Sequence, residues 1–293
     1  MTILNKEVLR SIFIILFVSF ISGCYSILNS GRFNRVDYGM WKYNKNFFFD
    51  DTEITVSDWF AYYSWLINNE GIVSAQKVLP DSNAIEPDVW QAFKNPQREF
   101  SYSPARHAIL PIGYFKINCN DSLNNKYGNS WGQCCAYLLL PITGITYEQA
   151  VDFCKWKTKW RGDSIMTYRL PTLQEWKNIA LESLNVKEKK SAIKDSLSKK
   201  GCPNFNYKYK TNCDWFVKNN ISTSRKLIVA AISSNNKGYD FFGNVSEMTL
   251  EKGFAKGGNY MMYAKQCHVD SVQKYTKPEK WLGFRCVGVF RNN

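Results

Sequence analysis

A single apolar run near the start of the chain constrains the fold most, because it indicates the compartment in which the rest folds. Residues 11–21 are almost entirely apolar and follow Lys6 and Arg10. The run is shorter than the roughly 20 residues that span a bilayer, and a basic start with a short apolar core is typical of an export signal. The rest of the sequence has no comparable run, which excludes a polytopic membrane protein.

The end of the apolar run predicts lipidation. It reads Ile21-Ser22-Gly23-Cys24 and resembles a lipobox, so we expect a lipoprotein signal peptide over residues 1–23 and acylation of Cys24. Each buried methylene of the anchor contributes ~0.8 kcal/mol. Residues 25–29 contain no acid, which by resemblance to lipoprotein sorting rules favours the outer membrane, with the protein facing the periplasm. The alternative is an ordinary secretory signal in which Cys24 is incidental.

Composition narrows the class further. Hydrophobic residues make up 45% and aromatic residues 16%, which is enough apolar surface for a packed core and excludes a disordered chain. The net charge of +13 suits an acidic partner or an anionic lipid surface. The charged insert at 185–200 lacks interleaved aromatic residues, so we expect no nucleic-acid partner. The only two histidines, His107 and His268, exclude a His-rich metal site.

The cysteines suit an oxidising compartment. Apart from Cys24, the chain carries eight, an even number that favours disulfides. Sequence alone cannot pair them. A local bridge between Cys202 and Cys213 is one possibility, and another joins Cys119 to Cys134 or Cys135.

Patterning along the chain predicts a tether over residues 24–45 and one folded domain over 46–293. A strand is expected at 46–50, and residues 79–140, with five prolines, are expected to form loops. Glycine-interrupted apolar runs near the C-terminus indicate short strands. Three helices should begin at capping boxes, formed by Thr55 with Asp58, Thr146 with Gln149, and Thr172 with Glu175.

Six short blocks then carry a resemblance to a known family. In chain order they are FFFDDTEITVSDW, PITGITYEQAVDFCKW, YRLPTLQEW, GNVSEM, KGGNY and LGFRCV. Their order over residues 46–290 resembles the formylglycine-generating-enzyme (sulfatase-modifying factor) family. The resemblance implies an α+β fold related to C-type lectins: a single irregular domain with few helices, short strands and many loops.

The resemblance also implies structural sites. Asn244 and Glu247, in GNVSE, match family residues that bind a structural calcium ion, and oxygen ligands suit Ca²⁺. The alternative for this pair is a hydrogen bond that stabilises a turn. Asn204 and Asp214 are the nearest match to a second calcium site. Cys154 and Cys286 match a family disulfide. Cys154 lies in the block VDFCKW, and Cys286 lies in GFRC.

Catalysis is where the sequence departs from the family. Catalytic members hold copper with two cysteines, because Cu(I) prefers soft thiolates. The matching positions are Met262 and Cys267, so one thiolate is missing and we expect no copper and no enzyme activity. The alternative is a copper-dependent oxidase acting on cysteine through a Met262–Cys267 site. A second branch uses non-haem iron and needs histidines that this chain lacks.

A non-catalytic branch of the family fits better. Outer-membrane lipoproteins of gliding motility and type IX secretion resemble this chain in lacking the copper cysteines and carrying an acylated cysteine. We therefore expect a pseudoenzyme that serves as a structural subunit of an envelope protein complex. The alternative is a lipoprotein that binds a peptide or a glycan. The sequence does not name the partner.

Overall fold

Two small sheets and five helices form the part of the chain that the computed structural model describes, which is residues 40–94, 140–161, 166–183, 240–263 and 266–290. These residues belong to one compact unit, Val36–Asn293. The strands are β1 (Met40–Asn44), β2 (Phe47–Asp50), β3 (Met166–Arg169), β4 (Ser246–Met248), β5 (Phe254–Lys256), β6 (Gln273–Lys274), β7 (Leu282–Gly283) and β8 (Val287–Phe290). The helices are α1 (Val56–Glu70), α2 (Ile72–Gln76), α3 (Pro87–Lys94), α4 (Tyr147–Arg161) and α5 (Leu173–Ser183).

The first sheet joins the two ends of the domain. Its strand order is β1-β2-β8-β3, and every pairing is antiparallel. Gly288 of β8 lies opposite both Phe48 and Tyr168. A β-carbon at Gly288 would come within 2.6 Å of the Met166 sulfur, so a larger residue here would force the Met166 side chain to move. The second sheet has the order β6-β5-β4-β7, in which β4 and β7 are parallel.

Strand β1 corrects the predicted extent of the tether. The tether was predicted to cover residues 24–45. In the structure, Met40–Asn44 instead forms a strand that pairs with β2. Met40 is buried, and Trp41 lies opposite Phe49. This apolar start belongs to the core, and the folded domain therefore begins by Met40.

The predicted capping boxes are confirmed. At α1, the Thr55 hydroxyl accepts a hydrogen bond from the Asp58 amide at 3.1 Å, while Asp58 Oδ2 accepts from the Thr55 amide at 2.9 Å. Such reciprocal bonds satisfy backbone donors that a helix start leaves unpaired. The same arrangement starts the other two predicted helices, through Thr146 with Gln149 and Thr172 with Glu175.

Helix α3 lies within residues 79–140, which were predicted to be loops. It runs from Pro87 to Lys94 and buries Val89 and Phe93. Proline is tolerated at the first position of a helix, where the missing amide has no intrahelical partner. The prediction of loops from the five prolines was therefore wrong for residues 87–94, because one of these prolines begins a helix.

Aromatic contacts join α1 to α4 in the larger core. The rings of Trp59 and Phe153 stack with centroids 5.5 Å apart, and the Phe284 ring packs edge-on against both. A second core gathers Phe49, Trp176 and Phe241 between the first sheet and α5. Among the described residues, no helix has both the length and the apolar character needed to cross a membrane. The α+β fold class is confirmed.

Candidate functional site

The segment after β5 carries the two positions that match the family's copper ligands. Met262 and Cys267 both contact Asn259: the Met262 amide donates to its carbonyl at 2.9 Å, and the Cys267 sulfur lies 3.9 Å from the same oxygen. Cys267 is buried against Gly258, where an added β-carbon would lie 2.5 Å from the sulfur. Close packing at Gly258 therefore fixes the cysteine beneath the turn.

This pair does not fit Cu(I). Burial raises the pKa of Cys267 to about 12, so the side chain is a neutral thiol at physiological pH. Cu(I) binding depends on thiolates, and the second position supplies only the thioether of Met262. No copper-dependent step can be derived from these residues.

A buried ion pair lies beside this segment. Arg285 donates to both carboxylate oxygens of Glu247, through Nε to Oε2 and through Nη2 to Oε1, each at 2.6 Å. The Trp176 indole also donates to Glu247 Oε2, at 2.7 Å. All three side chains are almost completely buried. This bidentate geometry is the strong form of an arginine–carboxylate interaction.

A second buried carboxylate, Glu53, faces the same region. Its Oε1 accepts a hydrogen bond from Asn244 Nδ2 at 3.1 Å, while its Oε2 is buried without a hydrogen-bond partner. Burial raises the pKa of Glu53 well above 4.5, and the negative charge of Asp240 raises it further. Asp240 and Asn244 both have positive φ, 56° and 52°, which polar residues of this kind tolerate best.

The predicted calcium pair, Asn244 and Glu247, does not fit a calcium ion in this arrangement. Arg285 and Trp176 use both oxygens of Glu247, and the Asn244 amide nitrogen turns toward Glu53. Within the described residues, no three His, Cys, Asp or Glu side chains converge as a metal site. The second predicted pair, Asn204 and Asp214, lies outside the described residues.

The predicted disulfide partners lie together. Cys154 on α4 and Cys286 before β8 are buried, with their sulfurs 3.0 Å apart, but in the structure both are free thiols. The covalent bond therefore remains a prediction. Beside them, Lys157 Nζ and Asp50 Oδ1 form a buried ion pair of 2.5 Å, and Asp50 Oδ2 accepts from the Cys286 amide.

The remaining predicted positions lie outside the described residues. They are the lipidation site Cys24, the histidine His107, and the cysteines Cys119, Cys134, Cys135, Cys202 and Cys213.

The sequence analysis did not identify the buried polar residues of this site as a group. Two of them, Glu53 and Arg285, lie in the sequence blocks that carry the family resemblance. Glu53 is the glutamate of DTEIT and Arg285 is the arginine of GFRC. Charged residues inside otherwise apolar blocks are rarely buried unless they are paired, and this signal could have indicated that each needs a partner. Only the folded chain shows that Arg285 pairs with Glu247, 38 positions away.

Two small sheets, capped helices and a buried Arg–Glu pair make up a single α+β domain. The chain belongs to the sulfatase-modifying factor enzyme 1-like domain family, which it matches over residues 40–289. No curated protein sequence matches it.

Three solved structures are similar to the chain at low identity. CarF shares 17% identity with a TM-score of 0.47, covering 84% of this chain and 87% of that one. PvdO from Pseudomonas aeruginosa shares 11% with a TM-score of 0.47, covering 83% and 80%. Treponema denticola variable protein 1 shares 15% with a TM-score of 0.39, covering 82% and 84%.

Proposed function

We propose that this family member is a non-catalytic, lipid-anchored structural subunit of an outer-membrane complex. The observation that carries the proposal is the pair at the copper positions, where Met262 replaces one cysteine and Cys267 is a buried neutral thiol. Copper chemistry of this family needs two cysteine thiolates, and this chain has only one cysteine at the two positions.

The rest of the domain supports a structural role. The buried pair of Glu247 and Arg285 and the capped helices are intact, although they contribute nothing to redox chemistry. A domain that serves for docking needs its folded core but does not need the pair of copper-binding cysteines. Anchoring at Cys24 would hold it at the inner face of the outer membrane, where a type IX secretion or gliding-motility assembly could bind it.

Restoring the missing sulfur tests the non-catalytic proposal. We expect the wild-type chain to lose copper to a Cu(I) chelator and to leave a sulfatase-motif cysteine peptide unchanged by mass spectrometry. Met262→Cys should gain Cu(I) affinity, because it places a second thiol beside Cys267. Met261→Cys is the matched control, since Met261 is 55% exposed and lies one position away. Turnover of the peptide by the wild-type chain would overturn the proposal.

The partner is tested separately, in native membranes. Extraction in mild detergent should yield the chain in a stoichiometric complex with other envelope proteins, and the Cys24→Ser chain should be lost from that fraction. Recovery of the wild-type chain as a monodisperse monomer would contradict the structural role.

A peptide-binding lipoprotein is the second candidate, and exposed apolar side chains near the copper positions favour it. Met261, Tyr263 and Val272 are 55%, 37% and 44% exposed. Gln266 links their segments, since its side chain accepts from the Tyr263 amide and its carbonyl accepts from Gln273. Large exposed apolar residues are favoured in binding surfaces. A monomer that co-purifies with a peptide, which Met261→Ser releases, would support this candidate instead.

A further inference from the structure

Tryptophan rings from two helices meet at the surface of the domain. Trp65 of α1 lies edge-on to Trp156 of α4 with centroids 6.4 Å apart, and Trp156 stacks on Trp160, one turn later, at 5.7 Å. Trp156 is 8% exposed and packs on the core rings of Tyr62 and Phe153, whereas Trp65 and Trp160 are half-buried. The three tryptophans therefore form one continuous patch, and its two outer rings reach solvent.

Exposed lysines accompany these rings. The Nζ atom of Lys159 lies over the Trp65 ring, 5.2 Å from the centroid, which is within the range of a cation–π contact. Lys155, one turn earlier on α4, has 71% of its side chain exposed, and its pair with Asp152 is a surface ion pair that contributes little. We call Trp65, Trp156, Trp160, Lys155 and Lys159 the tryptophan face.

The sequence of this end of α4 is basic as well as aromatic. Residues 155–161 read KWKTKWR, with four basic residues, two tryptophans and no acid. Lys157 is buried in its ion pair with Asp50, so its charge is neutralised inside the domain. Lys155 and Lys159 lie four positions apart and share one side of the helix. These two exposed lysines therefore present positive charge beside the rings, on a chain whose net charge is +13.

This combination of residues is complementary to the surface of an anionic bilayer. Tryptophan is enriched at membrane interfaces because its ring is apolar and its indole N–H is polar. Lysine stems lie along apolar surface while the ammonium group reaches the headgroups. Protein–protein interfaces, by contrast, are depleted in lysine. The lysines therefore favour a lipid surface over a protein partner as the occupant of the tryptophan face.

We propose that the tryptophan face docks on the anionic surface of the membrane, with Trp65 and Trp160 in the interfacial region and both lysines against lipid phosphates. The proposal rests on the proposed anchor at Cys24 only for bringing the domain to the bilayer. A stretch as long as residues 25–39 spans at most about 50 Å, so an anchored domain stays near the membrane. Docking would fix the orientation of the domain, which a single tether leaves open.

Quenching of tryptophan fluorescence by brominated lipid tests the docking, because bromine quenches only the rings that come into contact with it. The full chain is purified in detergent and reconstituted into vesicles of phosphatidylcholine, and into vesicles of phosphatidylcholine with an equal amount of phosphatidylglycerol. Both kinds contain the same fraction of phosphatidylcholine brominated near the headgroup. We expect stronger quenching in the vesicles that contain phosphatidylglycerol. Equal quenching in the two kinds of vesicle would overturn the proposal.

Lysine variants that keep every tryptophan test the role of charge. Lys155→Gln combined with Lys159→Gln should lose the quenching that phosphatidylglycerol adds, because each lysine near an anionic surface strengthens attachment about fivefold. Lys274→Gln combined with Lys277→Gln is the matched control, since it removes the same charge from two exposed positions in and after β6. Equal quenching in the two double variants would contradict docking through the tryptophan face.

Tryptophan variants assign the contact to particular rings. Trp65→Phe combined with Trp160→Phe should lose most of the quenching that phosphatidylglycerol adds. Trp281→Phe is the control and should keep it, since Trp281 is also half-buried but lies just before β7. Quenching that persists in the double variant would overturn the proposal, because other tryptophans would then be the ones in contact with lipid.

Mass spectrometry of the Cys24 peptide from the same preparation tests the anchor separately. An acylated chain without the added quenching would overturn the docking and leave the proposed anchor standing. Added quenching of a chain that carries no acyl group would support the docking and contradict the anchor.

Discussion

Arg285 and Glu247 form a fully buried bidentate ion pair, with side chains 0% and 1% exposed. The guanidinium also donates from Nη1 to the Asp50 carbonyl at 3.0 Å and packs 3.9 Å from the centroid of the Phe241 ring. One side chain thus ties the segment before β8 to β4, to the end of β2 and to the second core.

Removing either member of this pair should strongly destabilise the domain. For Glu247→Gln or Arg285→Met we expect a loss of about 3–5 kcal/mol in the free energy of unfolding, because each leaves an uncompensated buried charge. The double variant should recover part of this loss. Urea unfolding measures all three, and losses below 1 kcal/mol (about the value of an exposed pair) would contradict the prediction.

Glu53→Gln should stabilise the domain as the pH rises. The pKa of Glu53 is raised in the fold by burial, so the protonated side chain is favoured there. Its contribution to stability is complete below the unfolded-state pKa and is lost as the pH climbs through the folded-state pKa. At pH 8 the variant should be more stable than wild type, because the neutral amide avoids the cost of ionising a buried carboxyl group. Urea unfolding from pH 4 to 8 measures the difference.

The matched control for Glu53 is Glu175, whose pKa is shifted the other way. Arg169 and the α5 cap hold the pKa of Glu175 below its ordinary value, against the effect of partial burial. Glu175→Gln should therefore destabilise the domain at neutral pH, and the difference should shrink as the pH falls. If the difference in unfolding free energy from wild type changed with pH in the same direction in both variants, the opposite pKa shifts assigned to Glu53 and Glu175 would be contradicted.

Oxidation should join Cys154 to Cys286. The two positions are 132 residues apart, and closing so long a loop stabilises by about 4–5 kcal/mol in the chain-entropy model. Mass spectrometry of peptides from protein isolated without reductant should find them linked. Dithiothreitol should then lower the melting temperature of wild type more than that of Cys154→Ser, which lacks this bond; equal effects on both would exclude it.

Cys24→Ser should abolish membrane association. Acylation needs the thiol of Cys24, and serine cannot replace it. Membrane fractionation with immunoblotting should move the chain from the outer-membrane fraction to the soluble fraction, whereas Cys202→Ser should stay in place. A Cys24→Ser chain that still requires detergent for release would contradict lipidation.

Local signals in the sequence predicted the elements they control. The capping residues Thr55, Thr146 and Thr172 each begin a helix as expected, because a cap and its partner lie three positions apart. The family resemblance was likewise confirmed, since the family matches residues 40–289. By contrast, β1 was assigned to the tether because the stretch around it is rich in polar residues, glycine and asparagine, and only its pairing with β2 shows the strand.

The polar contacts inside the site could not be predicted in the same way. Glu247 was interpreted as a calcium ligand because oxygen donors close together suit that ion. Its actual partner is a distant arginine, which reaches it only once β7 lies beside β4.

The place of β8 in the first sheet has a consequence for when the domain can form. Strand β8 is the bridge between β2 and β3, and without it the sheet separates into the β1–β2 hairpin and an isolated β3. Phe48 pairs locally with Lys42, but its second neighbour, Gly288, lies 240 positions later in the sequence. The β1–β2 hairpin can therefore form early in synthesis, whereas the edge of β2 that faces β8 stays open until almost the whole described domain has been made.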